Sequence, residues 1–329
     1  MSIVGIIANP ASGKDIRRLV AYASVTDNTE KTNLLRRIII GIDSTGVDEI
    51  LIMPDYYSLG QRALGGMLTE NIRAKVSILD MVMDYTAKDS LKAAEMMGER
   101  GVGCIVTLGG DGTNRDVAKG KQDIPLVPIS TGTNNVFPVM TESTSAGIAA
   151  GIICRNVLDG EEPISRHKRL VVIKNGAEID MALVDAVVLD QLFTGSRAIW
   201  KLSEVRQIVC TQAEPNNIGM TCIGGNLHPV GPGDKHGMYI RLGSGDIKVR
   251  AVVLPGRVAE VEVAEMKLLE PGEEVTVLCK PSVIALDGER EITVAATDQV
   301  QIRLQGDGPR VVDIEGTIRA AVSQGFFRN

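Results

Sequence analysis

Hydrophobic and polar positions keep one rhythm through the first half of this chain and another through the second. Short unbroken aliphatic runs at Ile3–Ala8, 49–53, 75–79, 104–108 and 125–129 read as buried strands. The segments 15–23, 29–42, 57–68, 87–99, 113–119 and 143–157 carry apolar residues at helical spacing. Strands alternating with helices predict an α/β domain with a parallel sheet covered on both faces, here over residues 1–160. The texture changes across 158–168. Beyond it, β-branched runs at 170–174, 182–189, 238–242, 248–254, 259–263, 274–278, 282–286, 291–295 and 299–304 predict short strands. They are separated by turn signals such as Asn175-Gly176, Pro255-Gly256, Pro271-Gly272 and Asp307-Gly308-Pro309, which favours an antiparallel, sandwich-like β-rich domain over 161–315. A last helix is expected at 313–324, with 316–329 packing back on the body.

In a parallel sheet of this kind, ligands sit beyond the carboxyl ends of the strands. Three polar, glycine-bearing loops follow predicted strands and so fall on that one edge. The first is Asn9-Pro10-Ala11-Ser12-Gly13-Lys14. It has Ala8 where a Walker A loop needs its first glycine and Asp15 where Ser or Thr would hold magnesium, so it is not that motif. The second is Gly109-Gly110-Asp111-Gly112-Thr113, and the third is Ser130-Thr131-Gly132-Thr133-Asn134-Asn135. Glycines let a ligand approach the main chain, and a turn that feeds a helix converges free N–H groups on an anion, most often a phosphate. Two such loops at neighbouring strand ends, one carrying an acid, predict a phosphate-handling site with a reactive carboxylate at Asp111.

In the second half, Asp185 interrupts an apolar run, and a buried acid needs partners or a function unless it sits at a solvated rim. Ile223-Gly224-Gly225-Asn226-Leu227-His228-Pro229 reads as another glycine-rich turn. Asp287-Gly288 is a common hairpin turn. Together with Glu289 it could also hold magnesium, position an acceptor hydroxyl or complete an acid–base set. Asp234 and His236 read as solvated loop residues.

Composition narrows the partners. Of 329 residues only 3% are aromatic, and the net charge of −6 comes without a long basic block, which argues against nucleic acid or an anionic membrane surface. Five cysteines (Cys104, Cys154, Cys210, Cys222, Cys279) form no C-x-x-C pair, and three scattered histidines suggest no metal cluster. Reduced, buried thiols fit a cytoplasmic protein. The opening MSIVGIIANP lacks the basic region and long apolar core of a signal peptide, and no apolar run is long enough to span a membrane.

The glycine loop at 109–113, with Asn9-Pro10, Gly132-Thr133-Asn134 and Asp287-Gly288 in the same order, resembles the superfamily of NAD kinases and diacylglycerol or sphingosine-type lipid kinases. The likeness covers nearly the whole chain. Within that superfamily, the stretches IIANPASGKDIRRLV and FTGSRAIW most resemble the X proteins of acetoin-catabolism operons, a group usually classed as ATP-NAD kinase-like.

The resemblance implies an N-terminal α/β nucleotide-binding domain, a C-terminal β-rich domain, and an ATP-dependent kinase site in the cleft between them. It implies that Asp111 is the catalytic aspartate. Asn9, Gly109, Gly110, Gly112, Thr113, Thr131, Gly132, Thr133 and Asn134 would contact nucleotide and phosphates. Asn135, Asp185, Asp287 and Glu289 would support the acceptor or the acid–base step. ATP would be the donor, Mg²⁺ would arrive with it and could meet Asp287, and NAD would be the acceptor, phosphorylated on a ribose 2′-OH. A homo-oligomer is also implied.

Several positions depart from the NAD kinase pattern. Val184-Asp185 stands where an Asn-Glu pair is expected. Gly224 to Pro229 is one residue shorter than the family's Gly-Gly-Pro-x-x-His-Pro stretch. The Gly-Ser-Thr-Ala-Tyr element is replaced by Asn216-Asn217-Ile218-Gly219-Met220, and Asp-Gly-Glu at 287–289 is closer to lipid kinases. A lipid or small-alcohol kinase and a non-catalytic nucleotide-binding regulator are therefore the alternatives.

Overall fold

A computed structural model describes residues 1–13, 22, 25–67, 70–121, 123–132, 134–160, 163–192 and 201–328. The predicted helix at 15–23, the stretch FTGSRAIW and Thr133 therefore lie largely or wholly outside the described residues.

The N-terminal half alternates as its pattern predicts. In chain order it runs β1 (Ile3–Ala8), α1 (Asn28–Ser44), β2 (Glu49–Ile52), α2 (Leu59–Gly65), β3 (Lys75–Ile78) and α3 (Lys88–Glu99). It continues through β4 (Cys104–Gly109), α4 (Asp111–Gly120), β5 (Leu126–Ser130), α5 (Ser143–Arg155) and β6 (Ile164–Arg166). The β-rich half holds β7 (Arg169–Lys174), β8 (Ala177–Ala182), β9 (Asp185–Leu189), β10 (Val205–Cys210), α6 (Met220–Gly225), β11 (Gly237–Leu254) and β12 (Arg257–Leu269). It closes with β13 (Glu274–Thr276), β14 (Ser282–Leu286), β15 (Glu289–Val294), β16 (Val300–Gln305), β17 (Arg310–Val312) and α7 (Ile314–Ser323).

The first sheet has the order β3-β2-β1-β4-β5-β17-β6, parallel from β3 to β17 and closed by antiparallel β6. Its covered faces follow from strand alternation. Val4, Ile6 and Ala8 of β1 share a core with Leu35, Ile38, Ile39 and Ile42 of α1 and with Ala146, Ala149 and Ile152 of α5. Ile3 and Ile7 point the other way, into a core with Met97 of α3 and Val117 of α4. The helices α1 and α5 touch closely because both carry glycine at the crossing. A Cβ at Gly41 would stand 2.2 Å from the Thr144 carbonyl oxygen, and one at Gly147 would stand 2.4 Å from that of Ile38.

The β-rich half is a sandwich. A six-stranded sheet, β12-β11-β10-β9-β14-β15, packs on a four-stranded one, β13-β16-β7-β8. Leu170 and Val172 of β7, Val188 of β9, Ile284 of β14 and Ile302 of β16 fill the space between them. Three findings differ from the pattern reading. The run at 182–189 is broken between β8 and β9, because the N–H groups of Leu183 and Val184 turn to the Asp287 carboxylate instead of a ladder. The runs from 238 to 263 form one long hairpin of β11 and β12, bent by register shifts. Strands β6 and β17 leave the sandwich and pair at the edge of the first sheet, tying both ends of the β-rich half to the α/β half. No helix among the described residues is long and apolar enough to cross a membrane.

Candidate active site

All three glycine loops lie at the carboxyl ends of β1, β4 and β5, which are neighbours in the sheet. The first is fastened by Asn9. Its N–H donates to the Leu108 carbonyl at 3.0 Å. Its side chain accepts from the Ala11 N–H at 2.8 Å and donates to Thr113 Oγ1 at 3.0 Å, which joins the first loop to the second. Lys31 reaches up from α1, fully buried, and donates to the carbonyls of Asn9 and Pro10 at 3.1 Å and of Ser12 at 2.5 Å. With those carbonyls turned inward, the loop is held from below. Thr131 Oγ1 meets Ser12 Oγ at 3.0 Å and joins the first loop to the third.

In the second loop, helix α4 begins at Asp111, two residues earlier than its pattern predicts. Gly110 is its N-cap and supplies no side-chain hydrogen bond. Gly109 is required by packing, since a Cβ there would stand 2.6 Å from Thr113 Cβ, and one at Gly110 would stand 2.9 Å from Asn135 Oδ1. Asp111 is buried. Its Oδ1 accepts from the N–H groups of Val136 at 3.0 Å and Phe137 at 2.8 Å, while Oδ2 is 3.2 Å from the Val136 nitrogen. The acid therefore grips the third loop from the end of the second. In that third loop, Asn135 Nδ2 donates to Ser130 Oγ at 2.8 Å, and Ser130 Oγ donates to the Gly132 carbonyl at 2.7 Å. Phe137 in turn packs edge-on against His167, ring centroids 5.4 Å apart, and burial pushes that imidazole down to about 4.

The opposite wall comes from the β-rich half. Asp287 has a left-handed backbone, φ 50°, and its N–H donates to the Asp185 carbonyl at 2.9 Å. Its buried carboxylate accepts from Leu183 at 3.1 Å, Val184 at 2.8 Å and Asp185 at 3.3 Å. Arg115 of α4 lies behind it, Nη1 to Oδ2 3.8 Å, and donates to the Leu286 carbonyl at 2.8 Å. Burial pushes the Asp287 carboxyl up, and the Arg115 guanidinium opposes this. A carboxylate already bonded to three N–H groups is poorly placed to hold magnesium. No cluster of three or more His, Cys, Asp or Glu able to hold a metal occurs among the described residues. Glu289 faces the start of α4, since a Cβ on Gly112 would stand 3.6 Å from its Oε1.

Between the walls lies a cleft of about 40 Å³ that brings together Asp111, Asn134, Asp185, Asp287 and Gly288. Its remaining lining joins Val136 and Val184 to residues 218–221 and to Val253 and Leu254 of β11. The 218–221 segment, which the sequence marks only as a departure from the family's Gly-Ser-Thr-Ala-Tyr element, is part of the site. Gly219 there has φ 106°, a lone positive-φ signal ahead of α6. The neighbouring Gly224 and Gly225 are not a turn but the end of α6. A Cβ on Gly225 would stand 2.3 Å from the carbonyl carbon of Glu214, so that pair serves close packing. The sequence reading missed Lys31 and Arg115.

Comparisons with known proteins bear on the family and the fold. Residues 4–157 match the family model of the ATP-NAD kinase N-terminal domain, and residues 168–307 match that of the acetoin catabolism protein X C-terminal domain. Acetoin catabolism protein X of Cupriavidus necator is 35% identical, over 99% of this chain and 94% of that protein. Among solved structures, yeast NADH kinase complexed with NADH aligns over 100% of this chain and 89% of its own, with a TM-score of 0.52 and 12% identity. That last likeness bears on the fold alone.

Proposed function

This chain belongs to the acetoin catabolism protein X family, and from that premise we propose that it is an ATP-dependent phosphotransferase acting on a hydroxyl group in the cleft at Asp111. The observation that carries this reading is the placement of Asp111. It is a carboxylate in the first turn of a helix whose N-cap has no side-chain partner, on the rim of a cleft shared with Asp185. Phosphoryl transfer asks little covalent chemistry of a protein; positioning and charge neutralisation do most of the work.

On this reading, ATP phosphates rest against the first-turn amides of α4 and the loops at Asn9 and 131–134, with Thr113 and Asn9 already joined by a hydrogen bond. Asp111 accepts the proton of the acceptor hydroxyl as its oxygen attacks the γ-phosphorus, the γ–β bridge bond breaks, and ADP leaves. Magnesium would neutralise the phosphates, held mainly by them. The acceptor suggested most directly by the kinase-like N-terminal domain is the ribose 2′-OH of NAD, giving NADP, with Asp185 as a carboxylate on the opposite wall.

One observation favours a second acceptor class. The described cleft lining holds three carboxylates (Asp111, Asp185, Asp287), several aliphatic side chains and no basic residue, which suits an uncharged alcohol better than a pyrophosphate. Incubation with γ-labelled ATP, magnesium and either NAD or a panel of neutral alcohols separates the two. Label in NADP supports the first acceptor, and label in a phosphorylated alcohol supports the second. Undiminished turnover by Asp111→Asn would end the assignment of Asp111 as the proton acceptor.

A further inference from the structure

Helix α4 carries more than Asp111. Residues four apart share one face of a helix, and on this face stand Asp111, Arg115 and Lys119. Arg115 and Lys119 reach to the β-rich half, while Asp111 is bonded to the third loop. Asp111 borders the cleft beside Asp185 and Asp287. Arg115, its side chain 3% exposed, donates to the Leu286 carbonyl at 2.8 Å and stands 3.8 Å from an Asp287 oxygen on a side chain with no exposure. Lys119 Nζ lies 2.6 Å from Asp180 Oδ1 on β8. From Asp287 the connection continues without a gap, through the N–H groups of Leu183, Val184 and Asp185, to the wall that presents Asp185. Between the helix and that wall, Ala118, Phe137, Met181, Leu183 and Val184 form a small apolar core.

We propose that Arg115 is a positioning residue: through Asp287 it sets the spacing across the cleft, so that Asp111 on one wall and Asp185 on the other address the same acceptor hydroxyl. The inference rests on the phosphotransferase reading for its catalytic consequence, but not for its structural one. A guanidinium suits the task because its Nη1 donates to the Leu286 carbonyl while its permanent, delocalised charge stays beside the Asp287 carboxylate. Because displacement of reacting groups by about 1 Å can cost about 10²-fold in rate, a small change in this brace should register in turnover before it registers in nucleotide binding.

The test compares the full-length protein with Arg115→Met and Arg115→Lys by amide hydrogen exchange and by steady-state kinetics with ATP and whichever acceptor is turned over. In Arg115→Met, exchange should quicken at 183–185 and 286–289 while the distal β11–β12 hairpin keeps its wild-type rate. The kcat should fall by about 10²-fold with the KM for ATP unchanged. Arg115→Lys should recover part of both. Unchanged exchange at 183–185 overturns the brace, and so does quickened exchange that leaves kcat intact in an active enzyme. Exchange that rises uniformly through the chain assigns Arg115 to global stability and also overturns it. If Arg115→Met does not fold, Arg115→Lys and Lys119→Ala are read by the same two criteria. If the wild type phosphorylates no acceptor, the phosphotransferase reading fails, while the exchange pattern still decides whether α4 spaces the walls.

Discussion

Two Asp-Gly pairs face each other across the cleft, and they use one chemistry to different ends. Asp111 and Asp287 each close a loop by accepting backbone N–H groups, from Val136 and Phe137 in one case and from residues 183–185 in the other. Asp287 commits both oxygens this way, is sealed from solvent and has Arg115 behind it. Asp111 binds its loop in the same way, Oδ1 at 2.8–3.0 Å and Oδ2 at 3.2 Å, but does so from the first turn of α4 at the cleft. The same dipeptide thus closes a hairpin against a guanidinium on one side and opens a helix at the cleft on the other. The difference arises from the local backbone, which opens a helix at Asp111 and turns a tight hairpin at Asp287.

The largest expected effects test this division directly. Asp111→Asn keeps the size of the side chain but removes its capacity to take a proton. Turnover should fall by about 10²–10⁴-fold while ATP binding, measured by calorimetry, persists. Asp287→Ala should act chiefly on stability. It removes the carboxylate beside a buried guanidinium and leaves three N–H groups without their acceptor, so urea unfolding should show a loss of about 3–5 kcal/mol. A reversal, with Asp287→Ala stable but inactive and Asp111→Asn active but unstable, would exchange the roles assigned to the two walls.

Acid should separate the walls as well. His167 props Phe137, whose N–H holds Asp111, and burial, reinforced by the neighbouring Lys168 charge, lowers its pKa from 6.5 to about 4. The unfolded chain therefore binds a proton before the fold does, and stability drains as pH falls from 6.5 through 4. The slope of this contribution is at most about 1.4 kcal/mol per pH unit. Asp287 has the opposite sense. Its raised carboxyl takes up a proton in the fold before it would in the unfolded chain, so stability from this group is gained, not lost, as pH falls through its folded pKa. Urea midpoints measured between about pH 4.5 and 7 should fall toward acid in the wild type and flatten in His167→Phe. An equal slope in the variant would remove His167 from the account.

Much of this molecule is legible in its sequence because the relevant signals are local. The aliphatic runs of β1, β4 and β5 and the glycine loops that end them are enough to place three polar segments on one sheet edge. What was not legible depends on long-range pairing. Arg115 looks like any helix arginine until Leu286, 171 residues away, supplies its carbonyl. Lys31 lies in an ordinary amphipathic helix, and only the fold turns its ammonium under the first loop. Gly224-Gly225 reads as a turn because glycine usually is one, whereas here it lets α6 press against the backbone at Glu214. The strands β6 and β17 are three residues each, too short for periodicity to announce, and they join the far sheet through pairings that no local pattern encodes.

The smallest expected effect sharpens the comparison most finely, because it concerns the glycines rather than the acids. Gly112 lies within α4 without positive φ, and a Cβ there would meet Glu289 Oε1 at an ordinary 3.6 Å. Gly288 comes after Asp287 in a turn where both residues have positive φ, 50° and 81°. Alanine favours a helix over glycine by about 1 kcal/mol, so Gly112→Ala should leave the melting temperature equal or raised. Gly288→Ala forces a Cβ into the left-handed region and should destabilise by about 1 kcal/mol or more. If the amide face of Gly112 meets phosphate, the methyl group of Gly112→Ala should nevertheless weaken ATP binding in a protein at least as stable as the wild type. That pairing of gained stability with lost affinity is the signature of a glycine kept for a ligand, whereas Gly288→Ala should lose stability first and affinity only through it. Equal behaviour of the two variants in both measurements would mean that the two Asp-Gly turns are alike, and that the asymmetry between the walls lies elsewhere.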